Sequence, residues 1–378
     1  MKIAYVCADP GIPVFGTKGA SVHIQEVIRQ MLAKGHEVSV FAIRKGTEIP
    51  ADLAHLPVRV YELSNELKKN PAQREDAQAL AAEEIAKAIS SENFDLVYER
   101  YSLFSSVLFQ VRSTKPETKT ILEVNAPLIE EQRKHRVLVK EELAQTCLQL
   151  QVSAADAVIC VSDRVTAWVQ AMVPAYAQKV HTVNNGVNPE RITVQPEADE
   201  VVVTFVGTLK PWHGVEDLLK AYALKETAWK LRIIGAGPEE ADLQRQAGEL
   251  GLDVDFYGAV PPQEMPAALA GTAIGVAPYP IPQSPEEHYF SPLKIYEYLA
   301  AGLAVVATDV ADIPELLDGC GVVVPASNPL ALATAIDDLV INSQARHELQ
   351  LLAREAAVTK HSWKQAVERI FALAGASL

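Results

Sequence analysis

Cysteine is scarce and scattered in this sequence. The 378 residues include four, Cys7, Cys147, Cys160 and Cys320, too far apart to form a CxxC pair. They give no metal-ligand spacing, and thiols spread in this way fit the reduced core of a cytosolic protein. Long apolar runs are missing as well. No stretch approaches the length that crosses a bilayer, and Asp9 and Pro10 cut off the opening run of MKIAYVCADPG, which reads as a strand and not as a signal peptide. Positive charge is in deficit, with 34 Lys and Arg against 48 Asp and Glu and a formal charge of −14. That balance argues against nucleic acid as a partner and against general adsorption to anionic lipid. Phosphate-binding signatures are incomplete too. There is no Walker A motif, which weighs against a P-loop NTPase, and Pro238 interrupts GAG at 235–237 before a GxGxxG can form.

What is present is the alternation of an α/β protein. At this length two domains are expected. KIAYVC (2–7) is a buried-looking strand, and a thirteen-residue loop leads from it to SVHIQEVIRQMLAKG, where Val22, Val27, Ile28, Met31 and Leu32 recur at helical spacing before a capping Gly35. HEVSVFAI follows as a second strand, completing a parallel β-loop-α-β unit. The pattern predicts helices near 72–90 and 102–112 and one long helix over 128–153, with strands at 95–98, 120–124, 157–162 and 179–183. A polar stretch with two prolines, 188–200, marks a boundary, after which VVVTFVG restarts the same alternation. The expected division is 1–190, 191–361 and a terminal helix, 362–378, returning to the first domain. Two such sheets imply a bilobed molecule with a central cleft, its ligands beyond the carboxyl ends of the strands.

Three loops are candidates for chemistry. In FVGTLKPWHG (205–214) a strand ends at Gly207, and Lys210 and His213 precede a helix whose N-terminus already favours an anion. The plain alternative is a solvated lysine and a histidine bonded to a carbonyl. In FSPLKIYEYLAAG (290–302), Ser291 is the expected N-cap and Pro292 the first helical residue. Lys294 then stands in the first turn, where the dipole disfavours a cation unless something negative is near, with Glu297 on the same face. Either a phosphate meets the N–H groups of Leu293 and Lys294 while a ribose reaches Glu297, or Lys294 and Glu297 are an ordinary surface pair. In FGTKGA (15–20), Gly16 and Gly19 allow close approach of backbone to a ligand. Asn125 and Pro127 follow a strand and either face the cleft or form a turn. The basic cluster Arg133, Lys134, His135, Arg136 and Lys140 reads as a solvated face.

Taken together, these segments resemble the retaining glycosyltransferases of family 4, which have the GT-B architecture of two Rossmann-like domains. The likeness runs from VFGTKGASVHIQEVIRQMLAKGHEVSVF through VYERY, LEVNAPL, VICVS, NNGVNPER, VGTLKPWHGVEDLL and IIGAGPE to FSPLKIYEYLAAGLAVVATDV. The resemblance implies transfer of a sugar from a nucleotide diphosphate sugar to a saccharide or lipid-linked acceptor, with retention of configuration and no metal or other cofactor. It aligns Gly16 and Gly19 with a loop that closes on the diphosphate, Phe290, Ser291, Pro292 and Leu293 with backbone approaching the donor, and Glu297 with the second glutamate of E-x7-E. The chain departs from the family in three places. Thr208 and His213 stand where the phosphate clamp has Arg and Lys, so that Lys210 is expected to supply charge; the KPWHG form is itself that of a recognisable subgroup. Tyr289 replaces the first glutamate, with Glu286 and Glu287 just before it, and Asn125 replaces an acceptor-side histidine. A sugar-nucleotide epimerase of the same architecture and a non-catalytic sugar-nucleotide-binding relative are the competing expectations. A cytoplasmic location, free or peripheral to the inner face of the membrane, is expected.

Overall fold

The computed structural model describes residues 1–282, 289, 291–376 and 378. They form two compact units. The first comprises Met1–Asn185, Tyr289–Ser291 and Trp363–Leu378; the second comprises the described residues of Gly186–His288 and Pro292–Ser362. The chain thus divides after Asn185, returns to the first unit for Tyr289–Ser291, and returns again at Trp363.

The first unit is built on strands β1 (Lys2–Cys7), β2 (Glu37–Ala42), β3 (Val58–Val60), β4 (Leu96–Arg100), β5 (Lys119–Val124), β6 (Ala157–Cys160) and β7 (Val180–Thr182). They pair in parallel in the order β3-β2-β1-β4-β5-β6-β7, so the winding reverses between β1 and β4. The second unit carries β8 (Glu197–Val206), β9 (Lys230–Ile234), β10 (Val254–Gly258), β11 (Gly271–Ala277), β12 (Ala304–Thr308) and β13 (Val322–Val324), parallel in the order β10-β9-β8-β11-β12-β13, with its reversal between β8 and β11. Both sheets are covered by helices, which is why the strands read as near-continuous apolar runs. In β4 all five residues are buried, and in β12 likewise.

Two helical expectations are corrected. The long helix over 128–153 is two helices, Leu128–His135 and Glu141–Ala154. No Pro or Gly breaks them. Instead the buried Glu75 carboxylate accepts the N–H groups of Val139 and Lys140, at 2.9 and 2.8 Å, and so serves as a cap supplied from the helix Pro71–Ser90. The helix expected near 102–112 is Val107–Thr114. The basic cluster is a solvated face: Arg133, Lys134, His135 and Arg136 are exposed, Arg133 pairs with Glu141, and Lys140 pairs with Asp76. Among the described residues no helix is long and apolar enough to cross a membrane.

Candidate functional site

At the winding reversal of the second sheet, β8 and β11 part company and their following loops run in opposite directions. Such a switch point leaves a crevice beyond the strand ends. Three glycines let backbone segments meet there. A side chain on Gly214, which has φ +69°, would lie 1.7 Å from the Pro278 carbonyl oxygen, so this position ties the β8 loop to the β11 loop. Gly235 and Gly237 are equally confined, for their added Cβ atoms would lie 1.9 Å from the Gly207 oxygen and 2.3 Å from the Leu209 oxygen. The GAG segment is therefore a backbone support for the Gly207 loop.

The second loop enters the helix Leu293–Ala301. Its N-cap is Pro292 and not Ser291, and no side chain caps it. Ser291 groups with the first unit, where its hydroxyl accepts the Asn185 N–H at 3.1 Å and its carbonyl accepts the Asn185 side-chain amide at 3.2 Å. The helix is wedged at the reversal by Tyr298. Its phenol oxygen accepts the Val206 N–H at 2.7 Å and its hydroxyl donates to the Val276 carbonyl at 3.2 Å, bridging the diverging strands. Gly275 makes room, since a Cβ there would sit 2.5 Å from the Tyr298 ring.

This anchoring buries Lys294. The side chain is 7% exposed, and among the described residues its Nζ has no hydrogen-bond partner. It lies 4.1 Å from the ring centroid of Phe205 and 4.8 Å from that of Tyr279, and 3.0 Å from where a Gly207 Cβ would be. Burial pushes its ammonium down to about 7, a shift that the nearby Glu297 charge offsets only in part. The expected alternative of an exposed Lys294–Glu297 pair is thereby ruled out. Glu297 itself is half-buried on the same helix.

His213 converges on the same two aromatic rings, 6.2 Å from Phe205 and 6.0 Å from Tyr279. Its Nδ1–H donates to the Thr208 carbonyl, which orients the ring. Lys210 is half-buried, with Nζ 4.5 Å from the Trp212 ring centroid. Thr308, at the end of β12, donates to the Tyr279 carbonyl at 2.7 Å and fixes the segment that carries that ring. Phe205, Tyr279, Tyr298 and Gly275 were not singled out in the sequence. Phe205 and Tyr279 had only position as a signal, near strand ends, while Tyr298 lies within a helix and Gly275 within β11, where nothing local marks them.

The remaining expected residues lie elsewhere. Gly16 and Gly19 belong to the first unit, in a loop held against the chain after β2 by Val14 and Phe15 N–H bonds to the Arg44 and Lys45 carbonyls. Gln25 donates to the Gly16 carbonyl at 3.0 Å, and Gly19 is the exposed first residue of the helix Gly19–Ala33. Asn125 follows β5, its Oδ1 buried and, among the described residues, without a partner. Tyr289 packs against the apolar core of the first unit, and its carbonyl accepts the Ser162 hydroxyl at 2.6 Å. Phe290, Glu286 and Glu287 lie outside the described residues. Among the described residues no cluster of three or more His, Cys, Asp and Glu is placed to hold a metal.

The described residues thus form two parallel, doubly wound units, the second with a buried cation at its switch point that meets no hydrogen-bond acceptor among them. Residues 17–191 match the sequence model of Glycosyltransferase Family 4, and residues 200–342 match that of Glycosyl transferases group 1. Both matched models are glycosyltransferase models, and the fold is that of the GT-B glycosyltransferases. The putative teichuronic acid biosynthesis glycosyltransferase TuaH of Bacillus subtilis is 31% identical over 168 residues, 42% of each chain. Spore coat protein SA of the same organism is 22% identical over an alignment of 412 residues that covers 99% of both. The chain spans 42%, 34% and 52% of the lengths of three of the curated relatives it matches. In fold it is similar to HepE of Anabaena, solved in complex with UDP, with a TM-score of 0.71, 18% identity and 98% of both chains covered.

Proposed function

We propose that this chain transfers a sugar, with retention of configuration, from a nucleotide diphosphate sugar to a saccharide or lipid-linked acceptor in polysaccharide or glycolipid synthesis. The observation that carries the reading is Lys294, a buried ammonium at the switch point of the second sheet with no hydrogen-bond partner among the described residues. An unpaired buried cation is costly. The cost is recovered when a ligand brings the counter-charge, and a diphosphate at the strand ends does so. Departure of a nucleoside diphosphate builds negative charge on its terminal phosphate, and Lys294, Lys210 and the uncapped N-terminus of Leu293–Ala301 are positive groups of that region, with the His213 ring beside them. Glu297, one turn further along, is suited to accept the two ribose hydroxyls. HepE holds UDP in the same fold, which supports a nucleotide donor here.

Thermal-shift screening against UDP, GDP and ADP sugars tests the reading, because only a bound nucleotide raises stability. One of the three is expected to raise Tm, and a chain indifferent to all would refute the proposal. With the donor identified, Lys210→Ala is expected to lower turnover by about 100-fold while Tm stays within a few degrees. Unchanged turnover would remove Lys210 from the site.

A further inference from the structure

The first unit holds a second buried cation that the donor reading leaves unused. Arg100 ends β4, beside the reversal between β1 and β4, and is 7% exposed. Parallel register sets it in one row with Cys7 of β1 and Glu123 of β5, all on the face covered by the helix Gly19–Ala33. Among the described residues no acceptor meets its Nη1, and no carboxylate lies within ion-pair distance. Glu123 is the obvious counter-ion and its charge does act on Arg100, yet no direct bond joins the two among the described residues. Its Oε1 accepts the His23 Nε2–H at 2.6 Å, while its Oε2 stays buried and unmet although Arg100 is its register neighbour. A structural ion pair would have closed that gap.

Asn125 stands two residues beyond Glu123, so it continues the same row past the end of β5. Its Oδ1 is also buried and unmet. A guanidinium nitrogen and an amide oxygen, both buried and unmet among the described residues, thus stand at the carboxyl ends of the neighbouring strands β4 and β5. The guanidinium fork matches a carboxylate or phosphate, and the amide matches a neighbouring hydroxyl.

We infer that Arg100 and Asn125 form an acceptor subsite for an acidic saccharide, with Arg100 binding the carboxylate or phosphate and Asn125 an adjacent hydroxyl. This rests on the transferase reading, and the test separates the two. Calorimetry on the full chain saturated with UDP would titrate glucuronate, glucose 6-phosphate and neutral glucose in turn. At least one acidic sugar is expected to bind, the two arms telling carboxylate from phosphate, while glucose binds at least about tenfold more weakly. Arg100→Gln is expected to weaken the acidic sugar at least about tenfold, and Arg100→Lys less. Asn125→Ala, which removes no existing bond and so covers the case of a misfolded Arg100 variant, is expected to weaken it severalfold. All three should keep the wild-type response to UDP. Binding of neither acid to the UDP-loaded chain, equal binding of glucose, or full affinity in Arg100→Gln or in Asn125→Ala would overturn the inference with the donor reading intact. Failure of the wild-type chain to bind any nucleotide would instead sink the donor reading.

Discussion

Lys294 is held at a loss in the ligand-free chain. Its proton is released near pH 7 in the folded state but only near 10.5 in the unfolded state. The unfolded chain therefore binds more protons between those values, and stability contributed at this residue rises with pH across that window. Below pH 7 the full penalty applies, on the order of a few kcal/mol. Lys294→Met should accordingly raise Tm at pH 6 more than at pH 9.5, while erasing the shift caused by UDP. Donor binding has the opposite sign. Above pH 7 the free chain must take up a proton to present an ammonium to the diphosphate, so the dissociation constant should weaken by up to about tenfold per pH unit. Calorimetry in two buffers of different ionisation enthalpy reads that proton directly, and a pH-independent constant would show that Lys294 is not the anion's partner. Little of this was legible from composition. Lys294 stood out in the sequence because a cation in a first turn is electrostatically misplaced, but its burial depends on Phe205 and Tyr279, which come from two other strand ends.

At the scale of elements, the site depends on how firmly the helix Leu293–Ala301 is wedged between β8 and β11. Tyr298 is the wedge. Removing its hydroxyl leaves the Val206 N–H buried without a partner, a loss of about 1–3 kcal/mol. Tyr298→Phe should lower the unfolding free energy by that amount in urea titration and weaken UDP binding, because the helix start that carries Lys294 loosens with it. Unchanged affinity alongside lowered stability would show that the helix is positioned by other contacts. The longer strands of both sheets could be read from the chain because buried parallel strands are apolar runs, whereas the three-residue edge strands β3 and β13 were too short to stand out. The break between Leu128–His135 and Glu141–Ala154 could not, since its cause is Glu75, more than sixty residues away. GAG at 235–237 could be set aside as an incomplete phosphate-binding signature, but what its glycines do could not be read: they answer to the Gly207 and Leu209 backbones, a tertiary demand invisible in the local pattern. Ser291 looked like a cap in sequence, and Asn185 claims it instead.

At the scale of the whole chain, the last residues group with the first unit. Trp363–Leu373 lies on the helix Gly19–Ala33, with Trp363 edge-on to His23 at 4.7 Å, Phe371 stacked with His36 at 6.2 Å, and Lys34 paired with Glu368 at 2.7 Å. Trp363, Val367, Ile370 and Phe371 are buried there, each worth roughly 1.5–3 kcal/mol. The consequences extend inward, because Trp363 packs on the imidazole that holds Glu123. Burial pushes the Glu123 carboxyl up, but His23 and Arg100 more than offset it and keep the group below the usual carboxylate range. A chain ending at Ser362 would strip the outer face of Gly19–Ala33 and wet the His23–Glu123 pair. Hydrogen exchange is expected to show faster labelling in β1, β4, β5 and Gly19–Ala33, with β8, β11 and Leu293–Ala301 protected as before and still responsive to UDP. Loss of that response would mean that the donor's grip depends on the first unit as much as on Lys294, whereas unchanged exchange around His23 would show that the terminal helix is only an appendage.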